Sequence, residues 1–101
     1  MPYIKPELRT ELDNDIDQII KLIKLYPIDD RDGNVNYTLT RIIMGALEPD
    51  EGWKYKNMQR VMGLLACMQQ EIYRRKIAPY EDKVAKFNGD VGELHPTNHR
   101  E

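Results

Sequence analysis

The chain is poor in several things, and each shortage removes a class of protein. Its one cysteine, Cys67, has no intrachain partner. No disulfide framework can hold the fold, and a reducing cytoplasm is the expected setting. The longest apolar stretch is about six residues around Met62 to Met68, far short of the roughly 20 that a bilayer-crossing helix needs. A membrane is therefore not an expected partner. The opening Met-Pro-Tyr-Ile-Lys-Pro has neither an apolar h-region nor a small-residue cleavage site, so no signal peptide is expected.

Charge of one sign is lacking too. Fifteen Lys and Arg face 17 Asp and Glu, a formal net charge of −2, which gives no global positive field to draw in nucleic acid. Nucleic acid is not an expected partner, and any anion site must be a local cluster. Glycine and proline number only 6 each, while 41% of residues are hydrophobic and 32% charged. That balance is globular, and 101 residues is the size of one domain with one core.

What is present is helical periodicity. Leu8, Leu12, Ile16, Ile19, Ile20 and Ile23 recur at three and four, the period of one helix face. Pro6 suits the first turn, and Asp13 and Asn14 offer caps for a restart, so one helix or two short ones meeting near residue 13 both fit. Tyr26-Pro27 ends this segment, and Asp29, Asp30, Asp32 and Gly33 read as a polar loop. A second helix is expected from about residue 34 to 48, capped by Asn34, with Val35, Leu39, Ile42, Ile43, Ala46 and Leu47 on one side.

Pro49 and Gly52 stop it, and a third helix begins near Trp53. Met58, Val61, Leu65, Met68 and Ile72, with Met62, Leu64 and Tyr73 beside them, make its middle apolar nearly all round, so it is expected to be the central, most buried helix. Gly45 and Gly63 each cost about 1 kcal/mol against Ala in a helix interior, which points to helices crossing there. Ala78-Pro79 breaks or kinks the third helix and starts a short fourth one over residues 79–87, ended by an αL cap at Asn88-Gly89. The fold class is all-α: a small bundle of three main helices plus a short fourth after Pro79. Residues 1–89 form the single domain, and residues 90–101 form a mobile tail.

Two clusters hold the polar chemistry. Asn36 with Thr40, and Tyr37 with Arg41, stand one turn apart on the second helix. Tyr73, Arg74 and Arg75, followed by Tyr80, form the other, with Glu71, Glu81, Asp82 and Lys83 around them. Arginine beside an aromatic ring can grip a phosphate and stack a base, so these eight residues are the candidate ligand-binding set for a small anion. The competing explanation is internal: most such hydrogen bonds serve the backbone or water, and either arginine of the second cluster can pair with Glu71, Glu81 or Asp82.

Catalytic signals are weak. The acidic residues 29–32 and 48–51 lack the spacing of an EF-hand, and Glu71 has no acidic mate at 67, 68, 74 or 75. His95 and His99 straddle Pro96 in the tail and are read as chance spacing, and Cys67 is read as inert core filler. Trp53 and Tyr55 beside Lys54 and Lys56 could stack a base, but fit better as a staple closing the core. No metal and no cofactor are expected.

The segments Gly33-Asn34-Val35-Asn36-Tyr37-Thr38-Leu39-Thr40-Arg41, Gln70-Glu71-Ile72-Tyr73-Arg74-Arg75 and Pro79-Tyr80-Glu81-Asp82-Lys83, with Asn88-Gly89-Asp90-Val91 and the opening Met-Pro-Tyr-Ile, carry a resemblance over nearly the whole chain. The chain resembles a family of short bacterial and phage proteins grouped as a domain of unknown function. That resemblance implies a bacterial or phage setting and no activity. The functional expectation is thus a non-enzymatic binding module, homo-oligomeric because three or four short helices around a methionine-rich segment leave apolar flank uncovered. The alternative is a nucleotide or phosphoester hydrolase using an acidic residue near Glu71, Glu81 or Asp82.

Overall fold

A computed structural model of the chain describes residues 2–92. The described residues form helices and no strand: α1 (Pro6–Lys24), α2 (Ile28–Ala46), α3 (Tyr55–Ile72), a π-turn (Tyr73–Ile77) and α4 (Ala78–Asn88). They fall into two units, one up to Gly63 and one from Leu64. The expected tail lies outside the described residues beyond Gly92, as do His95 and His99.

In the first unit α1 is one helix with no restart at residue 13. Pro6 occupies its first turn, where a missing N–H costs nothing, and the Arg9 guanidinium donates to the Ile4 carbonyl at 2.8 Å. Only three residues separate α1 from α2, because α2 begins at Ile28 and not at residue 34. The expected Asp-rich loop is its first turn. Asp29 and Asp30 sit at the positive end of the helix dipole, where a carboxylate is favoured. Arg31 reaches back to the Tyr26 carbonyl at 2.9 Å and the Lys24 carbonyl at 3.0 Å, satisfying acceptors left open at the end of α1. Asn34 therefore caps nothing; its own carbonyl accepts the Thr38 hydroxyl at 2.7 Å. Leu47 closes α2 on the Ile43 carbonyl, and Gly52, at φ +88°, turns the chain ahead of α3.

Pro79 does not break the helix. The Ala78 N–H donates to the carbonyl of Tyr73, five residues back, so the backbone widens by one residue just before the proline. A π-turn of this kind absorbs the clash and the missing N–H that Pro79 brings to an α-helix. The helix then continues over residues 55–88 and ends at Gly89, whose φ of +92° suits glycine. Its ψ of 141° is not that of the expected αL cap.

The largest departure from the sequence expectation is burial. Among the described residues none is buried, so α3 is not a buried central helix, and Cys67 is exposed rather than core filler. Gly45 and Gly63 mark no crossing either: beyond its chain neighbours and its own helix backbone, a Cβ added at either would meet no heavy atom within 4 Å. The same is true of Gly33, which lies inside α2 on the side away from Val35, Leu39 and Ile42. Gly33→Ala should stabilise the protein by about 1 kcal/mol, read as a melting temperature raised by about 4–8 °C. Gly89→Ala should lower it, because alanine is strained at positive φ.

Candidate functional site

Each sequence-predicted cluster forms within its own helix. On α2, the Thr40 hydroxyl donates to Asn36 Oδ1 at 3.0 Å. One residue on, Arg41 lies over the Tyr37 ring, with its guanidinium carbon 5.9 Å from the centroid, and donates to the Tyr37 hydroxyl at 3.4 Å. Both pairs have the i,i+4 spacing that places side chains above one another. Tyr37 is 65% exposed, so the cation–π contact faces water.

The second cluster is built around Glu71. Arg74 donates to both of its oxygens, at 3.0 and 2.8 Å, and Arg75 donates to Oε2 at 2.6 Å. One carboxylate thus holds two guanidinium groups at the entry to the π-turn, which is the internal use weighed above. On the far side, the Tyr73 hydroxyl donates to Glu81 Oε1. Sequence spacing hides this bond. Residues eight apart in an α-helix point about 80° apart, and the one residue absorbed by the π-turn brings them to within about 20°. Only Pro79, the residue that provokes the turn, gave a signal for it. Tyr80, the last of the candidate residues, is 66% exposed.

Two of the three acidic candidates, Glu71 and Glu81, are already engaged. Glu71 accepts from Arg74 and Arg75, Glu81 accepts from Tyr73, and among the described residues no three His, Cys, Asp or Glu side chains stand close enough to hold a metal ion. At the start of α3, Trp53 is half-buried and Tyr55 is 74% exposed. No helix among the described residues is long and apolar enough to cross a membrane.

Residues 1–91 match the model of a protein family described as a domain of unknown function, DUF6899. The chain belongs to that family. The DUF6899 match takes in both clusters, α1 and the π-turn. No curated protein and no solved structure matches the chain, so the family description carries no activity to this DUF6899 member.

The Tyr73–Glu81 bond has a titration signature. The hydrogen bond to Glu81 raises the phenol pKa above its ordinary value, and the negative charge of Glu81, desolvation and Asp82 push the same way. A raised folded-state pKa means that the bond's contribution is fully present below the unfolded value, near 10, and is lost as pH rises through the folded one. In an alkaline absorbance titration, one of the six tyrosines should ionise after the rest. Tyr73→Phe should delete that late step, and Glu81→Gln should move it down. A late step that survives Tyr73→Phe would rule out this assignment.

Proposed function

We propose that this protein is a non-enzymatic helical binding module that works as a homo-oligomer. The observation that supports it is the absence of any buried residue among those described, while the apolar positions keep helical order: Leu8, Leu12, Ile16 and Ile20 on α1, and Val35, Leu39 and Ile42 on α2, are 39–51% exposed. Burying a side chain of this kind is worth about 1.5–3 kcal/mol, so each leaves on the order of 1 kcal/mol unrealised. A second copy supplies the missing cover. The five methionines suit such a surface, because a flexible thioether side chain adapts to the shape it meets.

A small anion is the second reading, and one contrast favours α2 as its place. Arg74 and Arg75 are shared by Glu71, whereas Arg41 contacts an uncharged ring and hydroxyl. Its charge is therefore available, with Asn36, Tyr37 and Thr40 within one turn, for a phosphate and the base or sugar attached to it. Tyr73, Arg74, Arg75 and Tyr80 are the secondary set. In a bacterial or phage cytoplasm, a small abundant binder of a nucleotide would act by stoichiometric sequestration. The hydrolase alternative has less behind it, since two of its three acidic residues, Glu71 and Glu81, are engaged by Arg74, Arg75 and Tyr73.

Size-exclusion chromatography with light scattering tests the first reading. The expected mass is a multiple of 11.9 kDa at micromolar concentration, and an 11.9 kDa monomer there would overturn it. For the second, cyclic and linear nucleotides are screened by thermal shift and calorimetry. Arg41→Ala should weaken a true ligand by about 1.5–3 kcal/mol, the worth of a charge-assisted hydrogen bond, and should matter more than Arg74→Ala. A wild-type melting temperature that no nucleotide moves would end the anion reading.

A further inference from the structure

A single π-turn inside an α-helix is rare and frequently marks a functional position. This one lies between two short apolar lines of the second unit. Before it stand Leu65, Met68 and Ile72, and after it stand Tyr80, Val84 and Phe87. In an uninterrupted α-helix, Leu65 and Val84 would point about 100° apart, as would Met68 and Phe87, and Ile72 and Tyr80 would point about 80° apart. The turn absorbs one residue, which is about 100° of rotation. Leu65 then stands in line with Val84, Met68 with Phe87, and Ile72 within about 20° of Tyr80. One apolar face therefore runs along the helix on both sides of Pro79.

The same rotation makes the Tyr73–Glu81 bond possible, since these two are the chain neighbours of Ile72 and Tyr80. We infer that the π-turn is a register device: Pro79 sets it, it turns α4 so that the apolar side chains of the second unit share one face, and the Tyr73–Glu81 bond forms only in this register and braces it. The extra residue sits directly ahead of Pro79, because the Ala78 N–H donates to the Tyr73 carbonyl. Plain α pairing there would drive the proline ring against the Arg75 carbonyl, four residues back. The brace runs from the first residue of the turn to the fourth of α4, so it spans the whole of the altered backbone. By contrast, the pairs of Glu71 with Arg74 and Arg75 end before Pro79 and leave the direction of α4 open. The register belongs to the helix itself and is the same whether its apolar face meets protein or water, so it stands apart from the homo-oligomer reading.

Register can be lost and then restored by sequence in the full chain. Pro79→Ala removes the clash, and the helix should relax to α pairing. Through-hydrogen-bond NMR couplings should then move the Ala78 N–H from the Tyr73 carbonyl to that of Arg74. The late tyrosine ionisation should disappear with it, because Tyr73 and Glu81 would point about 80° apart. Deleting Lys76 as well leaves Tyr73 and Glu81 seven residues apart in a regular helix, within about 20° of each other, and the late ionisation should return. Circular dichroism checks that each variant keeps its helicity. If the deletion variant unfolds, Pro79→Ala with Tyr80→Glu and Glu81→Gln sets a carboxylate seven residues from Tyr73 without shortening the chain, and should restore the step in the same way. A late step and a Tyr73-paired Ala78 that persist in Pro79→Ala would overturn the inference, as would a folded compensating variant in which the step does not return.

Discussion

Uncovered apolar surface is the constraint on which the rest of this structure depends. Three helices present regular lines of leucine, isoleucine, valine and methionine, and the described residues bury none of them. Isolated helices of this length are marginal in water, and helical stability in proteins comes mostly from packing an amphipathic face. Packing of these faces is therefore what the helices call for, while local bonds fix the path of the backbone. The proposed homo-oligomer would supply the first, and the local bonds can be named residue by residue.

The local bonds concentrate where a helix begins, ends or changes register. Arg31 ties the start of α2 to the last carbonyls of α1, which makes the short connection at residues 25–27 a fastened corner. Glu71 gathers Arg74 and Arg75 just as the backbone enters the π-turn, and Tyr73 reaches across it to Glu81. Arg74 and Arg75 are largely exposed, while Glu71 and Arg31 are half-buried, and ion pairs open to water on one side contribute little, from about 0 to 1 kcal/mol. Their effect is to choose a backbone path rather than to supply bulk stability. The arginines that sequence chemistry offers as ligand-binding groups are thus divided by use: two pair with Glu71 at the π-turn, and Arg41 rests on the Tyr37 ring.

Membership of DUF6899, over residues 1–91, places these features inside one domain family without attaching a reaction to them. In the second cluster Glu71 and Glu81 are hydrogen-bonded to Arg74, Arg75 and Tyr73, while apolar side chains of all three helices are exposed. The role proposed above is accordingly one of contact, with a second copy and then with a ligand.

By itself the sequence determined the helical class, the stripe on α1, and the paired side chains of α2, because each follows from a period of 3.6 residues and from i,i+4 neighbours. It also marked the chain breaks at Pro27, Pro49 and Gly89, where proline or glycine limits the backbone. Tertiary context decided the rest. The Asp-rich run at 29–32 became a helical turn once Arg31 had carbonyls to reach, which depends on a neighbouring helix end. Pro79 became a π-turn rather than a break, because a wider turn keeps the helix continuous and brings Tyr73 over Glu81. Burial of α3 and Cys67 was inferred from hydrophobicity, but burial requires something to pack against. A one-dimensional pattern shows which face is apolar; only the positions of other helices, in this chain or another, decide whether that face meets protein or water.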